Sequence, residues 1–197
     1  MRLDFVGTQF PIDKPANCVI FGWSGTGKTM LAQAIVNALP RYVECIHLTY
    51  KHMADIKHAE QVVFCDDGTC IDFIKFYCAR RENSDIPVVM IIDEPATTGE
   101  DMKELVKLGN ELNISFVFMV NKADPLFIIA LEEVCEWTVC TGCDARTSQA
   151  IFGDAAGSVI ELKQFIVKRP DGSKGVYRHT ARYSKLEVFD HVIAAEF

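Results

Sequence analysis

The sequence lacks any long hydrophobic run. Its longest apolar stretches, residues 86–92 and 125–131, are seven residues each, well short of the ~18 that a membrane-crossing helix needs. No membrane span is therefore expected. The first seven residues include Asp4 and hold no signal-like apolar stretch, so a cytoplasmic protein is the expectation. No repeat, low-complexity tract or linker breaks the chain, and its 197 residues read as one domain over 1–197 with its own core. Positive charge is scarce, with 20 Lys/Arg against 27 Asp/Glu and a net charge of −7. A second metal-ligand pair is missing as well. Cys140 and Cys143 in "VCTGC" have ligand spacing, but without a partner pair free thiols at a strand end are expected, and zinc is the lesser alternative.

Eight cysteines are present, and most sit in apolar segments, among them Cys18, Cys65 and Cys78. That suits buried reduced thiols, which pack as small hydrophobes. The scarce positive charge is concentrated. Residues 163–185 hold seven Lys/Arg and one Asp, a net +6, which leaves −13 on the rest of the chain. A basic stretch on an acidic body is a local footprint for a polyanion, or simply a solvated hairpin.

Hydrophobic pattern gives the element order. Strands are expected over 17–22, 44–50, 61–65, 87–93, 114–120 and 137–142, and helices over 27–39, 70–81, 98–112 and 125–135. Thr98 with Asp101 three residues on is a capping signal. Residues 158–169 and 176–183, joined by "PDGSKG", read as a terminal hairpin. Strands alternating with helices imply an α/β fold, a mostly parallel sheet with helices on both faces and a C-terminal β-hairpin. Residues 1–15 are an N-terminal extension and 158–185 a basic hairpin appended to the core.

The first strand runs into Gly22-Trp23-Ser24-Gly25-Thr26-Gly27-Lys28-Thr29, a complete Walker A pattern between strand and helix. Gly25 and Gly27 let the backbone curl so that its N–H groups meet phosphate oxygens, and the helix adds its N-terminal dipole. Lys28 supplies a point charge to the β- and γ-phosphates, and Thr29 offers a hydroxyl to Mg²⁺. The second half is Val88–Glu94. An apolar strand carries Asp93 to the carboxyl edge of the sheet to hold Mg²⁺ through water. Glu94 follows, placed to act as general base on an attacking water.

"NKAD" (121–124) spells the guanine-reading tetrapeptide of small GTPases. Spacing argues otherwise. The 28 residues from Asp93 to Asn121 leave room for one helix and one strand, where a GTPase needs two such units. With one crossover, the strand ending at Asn121 lies beside the phosphate-loop strand, so Asn121 faces the γ-phosphate as a sensor rather than the base.

The layout resembles the additional-strand, catalytic-glutamate P-loop ATPases, and within them the FtsK–HerA group and its small viral genome-packaging ATPases. "GWSGTGKT" (22–29), "VVMIIDE" (88–94) and "LGNELNISFVFMVNKADPL" (108–126) carry the likeness. It covers about residues 16–145 closely and the tail loosely. It implies ATP and Mg²⁺ as cofactors, a homo-oligomeric ring, double-stranded DNA held by the basic hairpin, and a capsid vertex as partner. The family's strand-end sensor is usually Gln, and here it is Asn121. Its basic residues near "LGNELN" are absent, so Arg146 is the first candidate for an arginine acting on a neighbouring subunit's nucleotide, and Arg80 and Arg81 the second. Two other classes stay open besides the GTPase. A small-molecule kinase would need an arginine-rich lid, and a non-catalytic assembly protein would have no use for Glu94.

Overall fold

A computed structural model describes residues 2–5, 8–11, 16–49, 61–64, 69–81, 84–95, 98–121, 124–161 and 164–178. In chain order the elements are β1 (Arg2–Phe5), β2 (Thr8–Pro11), β3 (Cys18–Phe21), α1 (Lys28–Ala38), β4 (Glu44–Thr49), β5 (Gln61–Phe64) and α2 (Thr69–Ala79). They continue with β6 (Val88–Asp93), α3 (Gly99–Glu111), β7 (Ile114–Val120), α4 (Pro125–Glu132), β8 (Trp137–Cys140) and α5 (Ala145–Phe152). A single 3₁₀ turn (Ala156–Ser158), β9 (Gln164–Lys168) and β10 (Lys174–Arg178) complete the described chain.

β1 and β2 pair as a separate antiparallel hairpin within the expected N-terminal extension. The other strands form one sheet in the order β10-β9-β8-β3-β7-β6-β4-β5. From β8 to β5 every pairing is parallel, and β9 joins β8 antiparallel. This is the expected mostly parallel sheet with a terminal hairpin on its edge.

Continuous apolar strands are stable here because both faces of the sheet are covered. Cys18 and Ile20 of β3 pack with Leu31, Ala32, Ile35 and Val36 of α1. Val19 and Phe21 of the same strand point the other way, into a core built with α2 to α5. Period-two alternation thus divides each strand between two clusters. α1 leaves β3 toward one face and α4 leaves β7 toward the other, so a crevice opens at the carboxyl ends of these neighbouring strands, the usual ligand position in such sheets.

Several boundaries differ from the sequence pattern. Residues 145–152 form a helix where none is expected. Its inward positions include Thr147 and Ser148 as well as Ile151 and Phe152, and two buried hydroxyl residues break the apolar period. β9 begins at Gln164, not 158. The Gln164 N–H donates to the Glu161 carbonyl and the Glu161 N–H donates to the Gln164 side chain, so Glu161 bonds locally rather than to a neighbouring strand. β8 stops at Cys140 because Gly142 turns at φ +134°. The remainder of the expected hairpin beyond 178 lies outside the described residues.

Asn17 fastens the amino end of β3. Its side chain accepts from the Phe116 N–H at 2.9 Å and donates to Asn110 at 3.0 Å, and its carbonyl accepts from the N–H groups of Glu136 and Trp137. Gly109 lets α3 lie close on β7. A Cβ at this position would stand 2.3 Å from the Phe116 ring, which is fully buried. Gly109→Ala gains about 1 kcal/mol of helix propensity. Forcing a methyl into a filled core costs about 1–3 kcal/mol, and the ring has nowhere to go. Net destabilisation of up to about 2 kcal/mol is expected in urea unfolding, with an unchanged dependence on denaturant.

Candidate active site

Residues 22–29 join β3 to α1, and the loop is held from both sides. The Gly22 N–H donates to the Val120 carbonyl of β7 at 3.1 Å, and the Trp23 N–H donates to the Gly142 carbonyl beyond β8 at 3.0 Å. Gly22 sits at φ +150°, and a Cβ there would come within 2.3 Å of Thr141 Oγ1. No other residue fits that approach. Gly25 and Gly27 take φ +80° and +105°, with open space where a side chain would point. The Thr26 hydroxyl donates to the Trp23 carbonyl and stands 2.6 Å from the Thr141 hydroxyl. Lys28 is buried, and its Nζ donates to the carbonyls of Gly22 and Trp23 at 2.8 Å each. Ser24 and Thr29 are exposed, and Trp23 is half exposed.

The N-terminus of α1 has no side-chain cap and no acidic residue in its first turn. α3, α4 and α5 are each capped, by Thr98, Asp124 and Asp144. The first N–H groups of a helix need an acceptor. α1 alone among these four leaves them to something outside its own side chains, which fits an anion such as a triphosphate. The open glycine loop, buried Lys28 and exposed Thr29 complete a donor set suited to a nucleoside triphosphate. Thr29 and Asp93 are the oxygen ligands available to Mg²⁺.

Asp93 closes β6, is buried, and has the Thr49 hydroxyl 3.5 Å from its carboxylate. Thr49, at the end of β4, was not singled out by sequence, since a lone strand-end Thr carries no signal. Glu94 follows at φ +55°, a conformation that costs a side-chain-bearing residue about 1 kcal/mol or more. Its N–H donates to the Met119 carbonyl at 2.8 Å, and its carboxylate accepts from the Asn121 N–H at 2.7 Å. Glu94 is therefore aimed by the end of β7. The Asn121 side chain is the expected sensor. The structure adds a role for its main chain.

β7 lies directly beside β3, as the spacing requires. Asp124 caps α4, its carboxylate accepting from the Leu126 N–H at 3.0 Å. Within "NKAD", the aspartate thus has a local structural use, and Lys122 and Ala123 lie outside the described residues. Arg146 is exposed in the first turn of α5, near the carboxyl end of β8. Arg80 and Arg81 follow α2 at the opposite edge of the sheet. Arg81 is buried, donating to the Leu112 carbonyl and to Tyr77 beside Glu44. Arg80 lies over the Phe76 ring at 4.5 Å. Both therefore stand away from the carboxyl edge at which Arg146 lies, and Arg80 is exposed.

The basic hairpin is partly neutralised by its own body. Lys168 donates to Glu132 at 3.1 Å and to the Ile151 carbonyl, and Lys174 donates to Asp154 at 2.5 Å and to the Phe152 carbonyl. Arg169 bonds Tyr177 and Ser173. Sequence sees a block of cations, whereas folding brings Glu132 and Asp154 to two of them. Cys140 and Cys143 are both buried with their sulfurs 3.6 Å apart. Among the described residues there is no group of three or more His, Cys, Asp or Glu that could hold a metal ion.

Asp124→Asn is expected to leave stability and the ATP/GTP preference unchanged, because Asn caps a helix about as well as Asp. Parallel titrations with both nucleotides and a melting curve check this. Selective loss of GTP binding would restore a guanine-reading role.

Neither a protein-family model nor a curated protein sequence matches the chain. Solved structures do. The cytoplasmic domain of the type VII secretion ATPase EccC of Thermomonospora curvata superimposes with a TM-score of 0.67 at 10% identity, over 87% of this chain and 24% of that one. The pCW3 conjugation coupling protein TcpA, in its monomer form with ATPγS, gives 0.63 at 14%, over 87% and 62%. ATPases 2 and 3 of EssC from Geobacillus thermodenitrificans give 0.59 at 17%, over 85% and 39%. The chain spans less than two thirds of each of these solved proteins. It shares their fold, a P-loop NTPase sheet, and no described helix is long and apolar enough to cross a membrane.

Proposed function

We propose that this chain is a Mg²⁺-dependent ATPase that moves double-stranded DNA, acting as a viral genome-packaging motor of the FtsK–HerA type. The observation that carries the reading is Glu94, held in a left-handed turn at the end of β6 and tethered to the Asn121 N–H at the end of β7. The two residues stand at the carboxyl edge of strands β6 and β7, and β7 adjoins the phosphate-loop strand. A carboxylate fixed there suits taking a proton from an in-line water, which a kinase would have to exclude. Likeness in fold to ATPases, one of them described with ATPγS, supports ATP as the nucleotide.

In this mechanism the uncapped N–H groups of α1 and the curled loop bind the phosphates, and Lys28 exchanges its loop carbonyls for phosphate oxygens. Thr29 and Asp93 would hold Mg²⁺, which would supply charge neutralisation on the phosphates. Glu94 accepts the water proton, and the Asn121 side chain orients that water. Arg146, exposed at this edge, reaches a neighbouring subunit's site in a homo-oligomeric ring. The working location is host cytoplasm or virion, with a capsid vertex as docking partner.

Glu94→Gln should retain nucleotide binding and lose turnover by about 100-fold or more. The Gln carbonyl oxygen still accepts from Asn121, so the geometry survives and only the base is lost. Equilibrium binding of a fluorescent ATP analogue and phosphate release measure the two halves. Wild-type hydrolysis in the variant would sink the assignment.

DNA is supported by the resemblance, by the basic stretch and by the conjugation coupling protein among the structural neighbours. A second reading, translocation of a polypeptide, is favoured by the secretion ATPase among them and by the pairing of Lys168 and Lys174. Phosphate release with and without duplex DNA separates the two. Stimulation by duplex of any sequence is expected for the motor. Duplex affinity should fall steeply with salt, and Arg169→Ala should reduce the slope by about 0.9, one phosphate contact. No duplex binding at low salt would favour the polypeptide.

A further inference from the structure

The segment that supports the phosphate loop, Thr141 and Gly142, is bracketed by two thiols. Cys140 ends β8, and Cys143 stands immediately before Asp144, the cap of α5. The Cys140 thiol donates toward Cys143 across 3.6 Å, and the Gly142 N–H donates back to Cys140 Sγ at 3.4 Å. A disulfide needs ~2.05 Å between sulfurs, so bonding must shorten this gap by about 1.5 Å. Behind the pair there is no slack. A Cβ on Gly157 would lie 2.9 Å from Cys143 Sγ and 3.3 Å from Cys140 Sγ. The strain therefore passes into the two residues between them. Thr141 touches Thr26, and Gly142 bonds Trp23 and passes Gly22 within van der Waals distance. On the loop side lies a cavity of about 200 Å³ with Gly22, Trp23, Gly142, Cys143 and Thr147 among its walls. It gives a small reagent a path to Cys143.

We propose that Cys140 and Cys143 form a thiol–disulfide switch, oxidised by hydrogen peroxide entering that cavity, whose closure draws Thr141 and Gly142 away from the phosphate loop and weakens nucleotide binding. The last consequence rests on reading the loop as a nucleotide site. The hydrogen bond from Cys140 lowers the Cys143 thiol below the ordinary cysteine range, and that same bond together with burial pushes Cys140 up. Cys143 is thus the attacking thiol. Its thiolate attacks one peroxide oxygen, the O–O bond breaks, and the sulfur becomes a sulfenic acid. The displaced hydroxide leaves as water with the proton Cys143 gave up. Cys140 then attacks the sulfenic sulfur, the S–S bond forms, the S–O bond breaks, and the Cys140 proton leaves with that oxygen as a second water. Two thiols and one peroxide give one disulfide and two waters.

The test treats the full chain with hydrogen peroxide, quenches with catalase, alkylates remaining thiols and maps disulfides by peptide mass spectrometry. Trp23 emission and the affinity of a fluorescent ATP analogue are read on the same samples. The Trp23 ring lies 3.7 Å from where a Gly142 Cβ would stand, so its emission reports the segment directly. A Cys140–Cys143 disulfide, an emission change absent from Trp23→Phe, and an affinity loss of about tenfold are expected, the loss corresponding to one or two hydrogen bonds. Dithiothreitol should reverse all three. Cys143→Ala should keep the reduced-state emission and lose the response. Cys140→Ala should stop at a sulfenic acid that dimedone traps. A pair that stays reduced while the half-buried Cys70 oxidises would overturn the proposal, as would a disulfide that leaves emission unchanged. If the reduced protein binds no nucleotide, the nucleotide reading fails, and the disulfide map and Trp23 emission still decide the switch.

Discussion

β3 is hydrogen-bonded on both edges, to β7 and to β8, and every active-edge residue takes its place from that. A strand buried between two parallel neighbours can be left only at its ends. Its carboxyl end must turn sharply, because the chain has to climb onto one face to begin α1. Gly22 makes the turn under the Thr141 side chain, at a separation that no Cβ would survive. The loop that follows is then pinned on each flank by a carbonyl, Val120 from β7 and Gly142 from beyond β8. Rigidity of the loop comes from the sheet rather than from the loop's own residues.

The same ladder aims the carboxylates. β6 pairs with β7 up to Asp93 and Met119, and the ladder carries one residue further through the Glu94 N–H. Glu94 then leaves the strand at a positive φ, and its side chain turns back to the Asn121 N–H. A strained backbone persists only where its surroundings over-determine it. Here two hydrogen bonds to β7 do so. They couple the position of Glu94 to the end of the neighbouring strand, so any shift of Asn121 is felt at Glu94.

Charge is distributed with similar economy. Asp124 and Asp144 each cap a helix, and hydrogen bonds from Thr147 hold the Asp144 carboxyl below the usual range. Glu132 and Asp154 take two lysines of the hairpin turn and fasten β9 and β10 to the helical face. The α1 N-terminus alone among the capped and uncapped helix starts described is left without an acidic side chain, which keeps its dipole available to an incoming anion.

The sequence by itself determined the α/β class, the glycine loop between β3 and α1, the place of Asp93 and Glu94 at the end of an apolar strand, and the neighbour relation of β3 and β7. These follow from local information: glycine at fixed offsets, a carboxylate after an apolar run, and a chain length that admits one crossover. It also marked the Thr98 cap, which the structure retains. It left α5 unread, because buried Thr147 and Ser148 mask an eight-residue period. It could not tell that Arg81 is spent on Tyr77 and Leu112 at the far edge, or that Lys168 and Lys174 are paired. Nor could it assign "CTGC" to the flank of the phosphate loop, 120 residues away along the chain. Only the tertiary structure decided these, since a charge or a thiol has no fixed role until packing chooses what stands opposite it, and β8 reaches β3 only through a crossover that no local pattern encodes.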